Sequence, residues 1–173
     1  MIAALSSQTA LFSPRVMMIT EPVTLATDYL LAITGITIAI LTYRLNSYHR
    51  AMPLWILAFT CSAVAATAGG TVHGFREYLG ASLSKTLWDV AMMFVGGSAA
   101  LIVAASIISS LRRKELPYVH WLKRGLTLSI IGFVLQKLGF GISPNFNHND
   151  VYHLIQIAGF CCLFQGIKRI PEK

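Results

Sequence analysis

The chain has 173 residues, of which 55% are apolar and 12% are charged, and its mean hydropathy is +0.63. A soluble domain carries about 25% charged residues, so this chain has too few charges to cover a globular surface and lipid must cover most of it. The composition therefore excludes an ordinary soluble protein and predicts one all-α, polytopic transmembrane domain. The net charge of +7 requires no nucleic-acid partner, because the basic residues cluster between apolar segments as orientation signals.

Five apolar segments are long enough to cross a bilayer, which takes roughly 17 to 25 residues. A proline suits the first turn of a helix, and Pro22 and Pro53 open the first two segments while Pro117 precedes the fourth. Asn149 or Asp150 is the expected N-cap of the fifth segment. The predicted spans are 23–43, 53–73, 87–111, 121–140 and 151–168, within one transmembrane domain (21–173) that follows an N-terminal interfacial segment (1–20).

The loops between these spans alternate in their content of Lys and Arg. The loop 112–124 carries five such residues and the loop 141–150 carries none, while the loop 44–52 and the C-terminal tail are also basic. The loop 74–86 carries only Arg76 and Lys85. Because basic loops stay in the cytoplasm, the pattern predicts an N-terminus outside and a C-terminus inside.

Polar residues gather at the ends of the spans that this orientation places outside. His73 ends the second span, Asp89 lies near the start of the third, and His148, Asp150 and His153 surround the start of the fifth. Ionisable groups at the edge of a membrane span are costly to desolvate and mark candidate functional sites. A catalytic zinc takes three protein ligands and a water, so the three histidines are candidate zinc ligands. The two aspartates are candidates for a general base or for a partner of the ligands.

A purely structural role is the alternative for the same residues. Polar side chains at helix ends cap helices and pair with one another, so Asp150 can be only an N-cap and Asp28 can be only a partner of Lys137. A bis-histidine haem held by His73 and His153 is a further, less favoured alternative. Aromatic residues near the same ends are typical of a membrane-interface belt; they are Tyr29, Tyr78, Trp88 and Tyr152.

Three stretches of the chain resemble a known superfamily. A glycine-rich helix ending in His73-Gly74-Phe75, Asp89 on the next helix, and the run Asn-Asp-Val-Tyr-His-Leu-Ile-Gln (149–156) look like the ceramidase-like membrane hydrolases. That superfamily includes the alkaline ceramidases and the progestin and adipoQ receptors. The opening stretch 21–32 and the closing stretch 146–156 are more similar to an uncharacterised bacterial branch of small membrane proteins, which implies the bacterial inner (plasma) membrane.

The resemblance implies a zinc ion held by one histidine of the second helix and a His-x-x-x-His pair of the last helix, with an aspartate nearby, and cleavage of a lipid amide. His73, Asp89 and His153 fall on three of these positions, whereas Asn149 stands where the first histidine of the pair belongs and His148 is displaced by one residue. The usual seven spans of the superfamily are also reduced to five. Two functions follow as expectations: a zinc-dependent hydrolase of a membrane-lipid amide or ester, or a non-catalytic accessory or structural subunit of a larger membrane complex.

Overall fold

The computed structural model describes residues 18–45, 48–110 and 117–171, and within these ranges the protein consists of helices and short loops without a β-strand. The all-helical class predicted from the sequence is confirmed. Most of the predicted interfacial segment 1–20 lies outside the described residues. The helices are α1 (Pro22–Arg44), α2 (Met52–Ser110), α3 (Pro117–Lys137) and α4 (His148–Ile167).

Helix α2 is 59 residues long and bends back on itself between Phe75 and Gly80. The backbone leaves the helical region at both residues, with φ of −128° at Phe75 and φ of 70° at Gly80. A positive φ is freely available only to a residue without a Cβ, which explains a glycine at the second position. The helix therefore has two arms, 52–74 and 81–110, and the predicted loop 74–86 is largely helical instead.

The two arms of α2 run antiparallel and are joined by side-chain hydrogen bonds. Ser98 Oγ donates to the carbonyl oxygen of Ala58 at 2.9 Å, and Trp55 Nε1 donates to Ser109 Oγ at 3.2 Å. Both bonds are buried in an apolar environment, where an unpaired polar group is expensive. They fix which residues of the two arms face each other.

Helix α1 packs on α2, α3 packs on α4, and the two pairs meet where α1 contacts α4. At the centre the ring of Phe59 from α2 meets the ring of Phe160 from α4 edge-on, with 5.1 Å between their centroids. The bundle has two ends. The bend end holds the α2 bend, the start of α1, the end of α3 and the start of α4; the opposite end, here called the basic end, holds the start of α3 and the end of α4.

Three helices, α1, α2 and α4, are long and apolar enough to cross a membrane. Helix α3, which corresponds to the fourth predicted span, has 21 residues but is less apolar than the others. Large apolar side chains point outward around the bundle: Ile33, Met93 and Ile130 are exposed by 62%, 64% and 63%. A surface of this kind suits contact with hydrocarbon rather than with water.

Helix α4 begins earlier than predicted, because Asn147 is its N-cap and the prediction of Asn149 or Asp150 was wrong. The Asn147 side chain accepts the backbone N–H of Asn149 at 2.8 Å, and Asp150 Oδ2 accepts the backbone N–H of Asn147 at 2.7 Å. This reciprocal capping box satisfies backbone donors that the first helical turn leaves free. It also fixes the position of the Asp150 carboxylate.

Candidate functional site

The bend end contains a buried histidine–aspartate pair between α1 and α4. His153 Nε2 lies 3.1 Å from Asp28 Oδ1, and the two side chains are only 8% and 5% exposed. The other ring nitrogen, Nδ1, lies 3.0 Å from the hydroxyl of Thr27. Thr27 and Asp28 are adjacent on α1, so together they hold both ring nitrogens of one histidine.

The Thr27 hydroxyl connects this pair to the start of α4. It lies 3.0 Å from Asp150 Oδ1, and Asp150 is fully buried. One turn away on α1, Thr24 Oγ1 accepts a hydrogen bond from Asn147 Nδ2 at 3.2 Å. Residues three and four apart share one face of a helix, and the spacing of Thr24, Thr27 and Asp28 therefore gives α1 a polar face toward α4.

The number of available protons restricts which atoms of this hydrogen-bond network donate and which accept. The Thr27 hydroxyl has one proton, yet three groups lie within hydrogen-bond distance of it: the carbonyl oxygen of Thr24 at 3.1 Å, His153 Nδ1 and Asp150 Oδ1. The two side-chain contacts are both satisfied when Nδ1–H donates to Thr27 and Thr27 donates to Asp150, in competition with the Thr24 carbonyl oxygen. A further proton must then lie between Nε2 and the Asp28 carboxylate, because two acceptors 3.1 Å apart would repel each other.

The second carboxylate oxygen of Asp28, Oδ2, is buried and has no hydrogen-bond partner among the described residues. The neighbouring helix approaches closely here: a Cβ added to Gly70 would lie 2.8 Å from Asp28 Cβ, and one added to Gly69 would lie 3.8 Å from both carboxylate oxygens. A buried polar atom without a partner is costly and calls for an explanation. Asp28 itself lines a cavity, although Oδ2 has almost no exposed surface there.

His73 is held at the end of the first arm of α2. Its Nδ1 lies 3.1 Å from Glu21 Oε2, and its ring meets the Trp88 ring edge-on at 5.8 Å between centroids. The backbone N–H of Thr20 donates to the carbonyl oxygen of Gly74 at 3.0 Å, which fastens the chain before α1 to the α2 bend. Contacts from two different segments therefore orient this imidazole.

A cavity of about 350 Å³ lies between these groups. The second arm of α2 and α3 meet at the basic end, where the Tyr118 hydroxyl donates to the Ser109 carbonyl oxygen at 3.0 Å. Toward the bend end the cavity lies between them, and Val95 and Phe133 both line it. The lining combines polar and apolar residues; its polar members include Asp28, His73, Gln136, Lys137, His148, Asn149 and His153, and its apolar members include Leu31, Trp88, Met92, Val95 and Phe133.

The structure brings most of the predicted site residues together. The three candidate zinc ligands, His73, His148 and His153, all line the cavity. Asp150 lies behind His153, linked to it through Thr27. Asp89 is absent from the lining; its exposed carboxylate pairs with Lys85 one turn earlier on α2.

Sequence reasoning missed pairings and lining residues of the site. Asp28 pairs with His153 and not with Lys137, whose ammonium lies 5.5 Å from the Phe133 ring. Trp88 and Tyr152, interpreted as membrane-belt residues, line the cavity. The spacing of the polar residues on α1 predicts that Asp28 lies on one polar face of an otherwise apolar helix, but it does not predict which residue that face meets.

The donor types at the cavity suit zinc, since imidazole nitrogens and a carboxylate oxygen are its usual ligands. The unpaired Oδ2 of Asp28 adds a fourth donor beside the three imidazoles. Within the described residues, however, no three side chains of His, Cys, Asp or Glu converge closely enough to hold a metal ion as they stand. Binding through His153 would require its ring to exchange Thr27 or Asp28 for the metal.

Together these features define an all-helical bundle with membrane-length helices and a buried His–Asp cluster facing a cavity at one end. The chain belongs to the family of unknown function DUF6962, whose profile matches residues 23–122 and 97–172. These matches include every helix of the bundle. No curated protein and no solved structure gives a significant match to the chain.

Proposed function

We propose that the protein is an integral membrane protein that crosses the bilayer five times, with each arm of α2 as one crossing and the bend end outside. The support is the distribution of charge. Lys and Arg are concentrated in the segments that join the helices at the basic end, and the loop between α3 and α4 at the bend end carries none. Basic segments of this kind remain in the cytoplasm.

Cysteine labelling tests this topology in a background whose three native cysteines are replaced by alanine. A membrane-impermeant maleimide should label Asn145→Cys, in the exposed α3–α4 loop, in intact cells or spheroplasts. It should label Arg50→Cys, which is exposed at the other end, only after the membrane is opened. The reverse labelling pattern would overturn the orientation, and labelling of both sites in intact cells would overturn the number of crossings.

We propose further that the protein binds a membrane lipid in the bend-end cavity and hydrolyses an amide or ester bond of that lipid. The observation that carries this proposal is the combination of polar and apolar residues in the lining of one cavity. A lipid combines the same two kinds of surface, because polar groups surround its amide or ester bond and its tails are apolar. Ligand sites of this kind combine an apolar lining with a few polar groups that fix orientation.

His73, His148 and His153 would hold a zinc ion, which when bound activates a water molecule and polarises a carbonyl oxygen. Asp28, which lines the cavity, would accept a proton from a bound molecule once its buried Oδ2 becomes accessible to that molecule. Thr27 and Asp150 act as positioning residues, because their hydrogen bonds orient the ring of His153. Trp88 contributes an apolar wall and supports His73.

Hydrolysis of fluorogenic amide and ester lipids in detergent micelles by the purified protein tests the proposal. Asp28→Asn should lower turnover by about 10²- to 10⁴-fold, as expected for a group that moves a proton. Asp89→Asn is the matched control: its exposed carboxylate pairs with Lys85 and lies outside the cavity lining, so turnover should stay near that of the parent. Equal losses in the two variants would contradict the assignment of Asp28, and a parent without turnover would contradict hydrolysis.

Metal analysis of the purified protein tests the zinc part of the proposal separately. Asn149→His should tighten zinc binding, because it adds an imidazole four residues before His153 on the same helical face. His73→Ala should abolish zinc binding. An Asn149→His protein that binds no more zinc than the parent would count against a metal at this cavity.

A non-catalytic accessory subunit is the second candidate function. The observation that favours it is the occupation of both ring nitrogens of His153, together with an asparagine at position 149. In that case the network only stabilises the contact between α1 and α4. A protein without turnover or stoichiometric zinc that co-purifies from mild detergent with a constant partner would support this alternative.

A further inference from the structure

A second concave site lies at the basic end of the bundle, away from the His–Asp cluster. A groove of about 430 Å³ runs along the face between α3 and α4. We call it the basic groove; it is lined by His120, Lys123, Arg124, Thr127, Leu128 and Cys162. Its basic side chains come from the first turns of α3 and are exposed.

The positive charge of this region has no acidic partner among the described residues. The carboxylates of those residues lie on the side of the α2 bend; they are Glu21, Asp28, Glu77, Asp89 and Asp150. Around Trp121, two guanidinium groups approach one aromatic ring: Arg124 lies 5.1 Å and Arg169 lies 5.4 Å from its centroid. An anion bound between the helices would neutralise charge that the described chain leaves uncompensated.

The apolar part of the groove indicates what kind of anion fits. Thr127 and Leu128 follow the basic residues by one turn along α3, toward the middle of the helix, and Cys162 contributes from α4. A phosphate held at Lys123 and Arg124 would therefore continue into an apolar surface. A phospholipid has this order of groups, and a free phosphate ion does not.

We infer that the basic groove binds the headgroup phosphate of an acidic phospholipid, with Lys123 and Arg124 as the principal contacts. Basic pockets between transmembrane helices recognise anionic headgroups through this combination of charge and apolar surface. Arginine also holds phosphate with two parallel hydrogen bonds. This site is independent of the bend-end cavity and of any reaction there.

Native mass spectrometry of the detergent-purified, full-length protein provides the test. The protein is titrated with dioleoyl phosphatidylglycerol, with dioleoyl phosphatidylcholine and with inorganic phosphate. The double variant Lys123→Gln/Arg124→Gln should bind phosphatidylglycerol about thirtyfold more weakly than the parent, at about fivefold for each basic residue. Binding of phosphatidylcholine should not change.

The control variant Arg76→Gln/Lys85→Gln removes two exposed positive charges near the α2 bend. It should keep the phosphatidylglycerol affinity of the parent. An equal loss in both double variants would show that only net charge matters and would overturn the assignment. Equal affinity of the parent for the two lipids, or binding of inorganic phosphate as tight as that of phosphatidylglycerol, would also overturn it. The single variants Lys123→Gln and Arg124→Gln provide the same comparison if the double variant unfolds.

Discussion

Replacing His153 with leucine is expected to lower the free energy of unfolding by about 1 to 3 kcal/mol, the cost of leaving a buried polar group without its partner. The substitution removes the partner of Asp28 Oδ1, and the Asp28 side chain is 5% exposed in an apolar bundle. Unfolding of the detergent-solubilised protein by added dodecyl sulfate, followed by circular dichroism, measures this change. His120→Leu, the same substitution at an exposed position, should change the free energy of unfolding by about 0.5 kcal/mol or less.

The double variant Asp28→Leu/His153→Leu should recover a large part of the lost stability. Replacing both members of a buried polar pair with apolar residues can be nearly neutral, because no unsatisfied polar group remains in the interior. The double variant should therefore be more stable than His153→Leu alone. Additive losses would contradict the pairing of these two residues.

Replacing Gly125 with alanine is expected to cost about 1 to 3 kcal/mol by overpacking the contact between α3 and α4. An added Cβ would lie 2.6 Å from Leu163 Cγ and 2.9 Å from the carbonyl oxygen of Gly159. The leucine can move, but the backbone oxygen cannot move without separating the helices. The expected cost of about 1 to 3 kcal/mol is the net value after the gain of about 1 kcal/mol that alanine brings to a helix interior.

Gly97→Ala is the matched control, because no atom lies within 4 Å of the Cβ position at Gly97. This variant should be as stable as the parent or more stable by up to about 1 kcal/mol. Unfolding by dodecyl sulfate measures both glycine variants under one set of conditions. A similar shift in the two variants would show that helix propensity, and not the α3–α4 contact, controls the result.

The sequence predicted the helices well because long apolar runs dominate their formation. Each of the five predicted spans falls largely within a helix of the structure, and the spans 53–73 and 87–111 both fall within α2. The reversal of α2 was predicted as a longer loop, since periodicity does not show that a helix can turn within a few residues at Gly80. The N-cap of α4 was predicted wrongly because Asn147 and Asn149 are equally suitable cap residues.

The sequence identified the histidines at the helix ends that line the cavity. It did not identify which polar residues pair with one another. His73, His148 and His153 were found because histidines are conspicuous at the ends of apolar runs. The Asp28–His153 contact depends on the rotation of α1 against α4, which no local pattern in either helix specifies. For the same reason the sequence did not distinguish Asp89, which points away from the cavity, from Asp28, which lines it.

The separation of the second α2 arm from α3 determines the route by which a lipid would reach the cavity. Because Met92, Val95 and Phe133 line the cavity here and are exposed, a bundle that crosses the bilayer as proposed would open this gap sideways into the hydrocarbon layer. A lipid entering there keeps its tails in the bilayer while its polar region moves toward Asp28. Withdrawing a tail into water would cost about 0.8 kcal/mol for each CH₂ group. A side entrance avoids this cost, so the barrier to entry consists of dehydrating the headgroup alone.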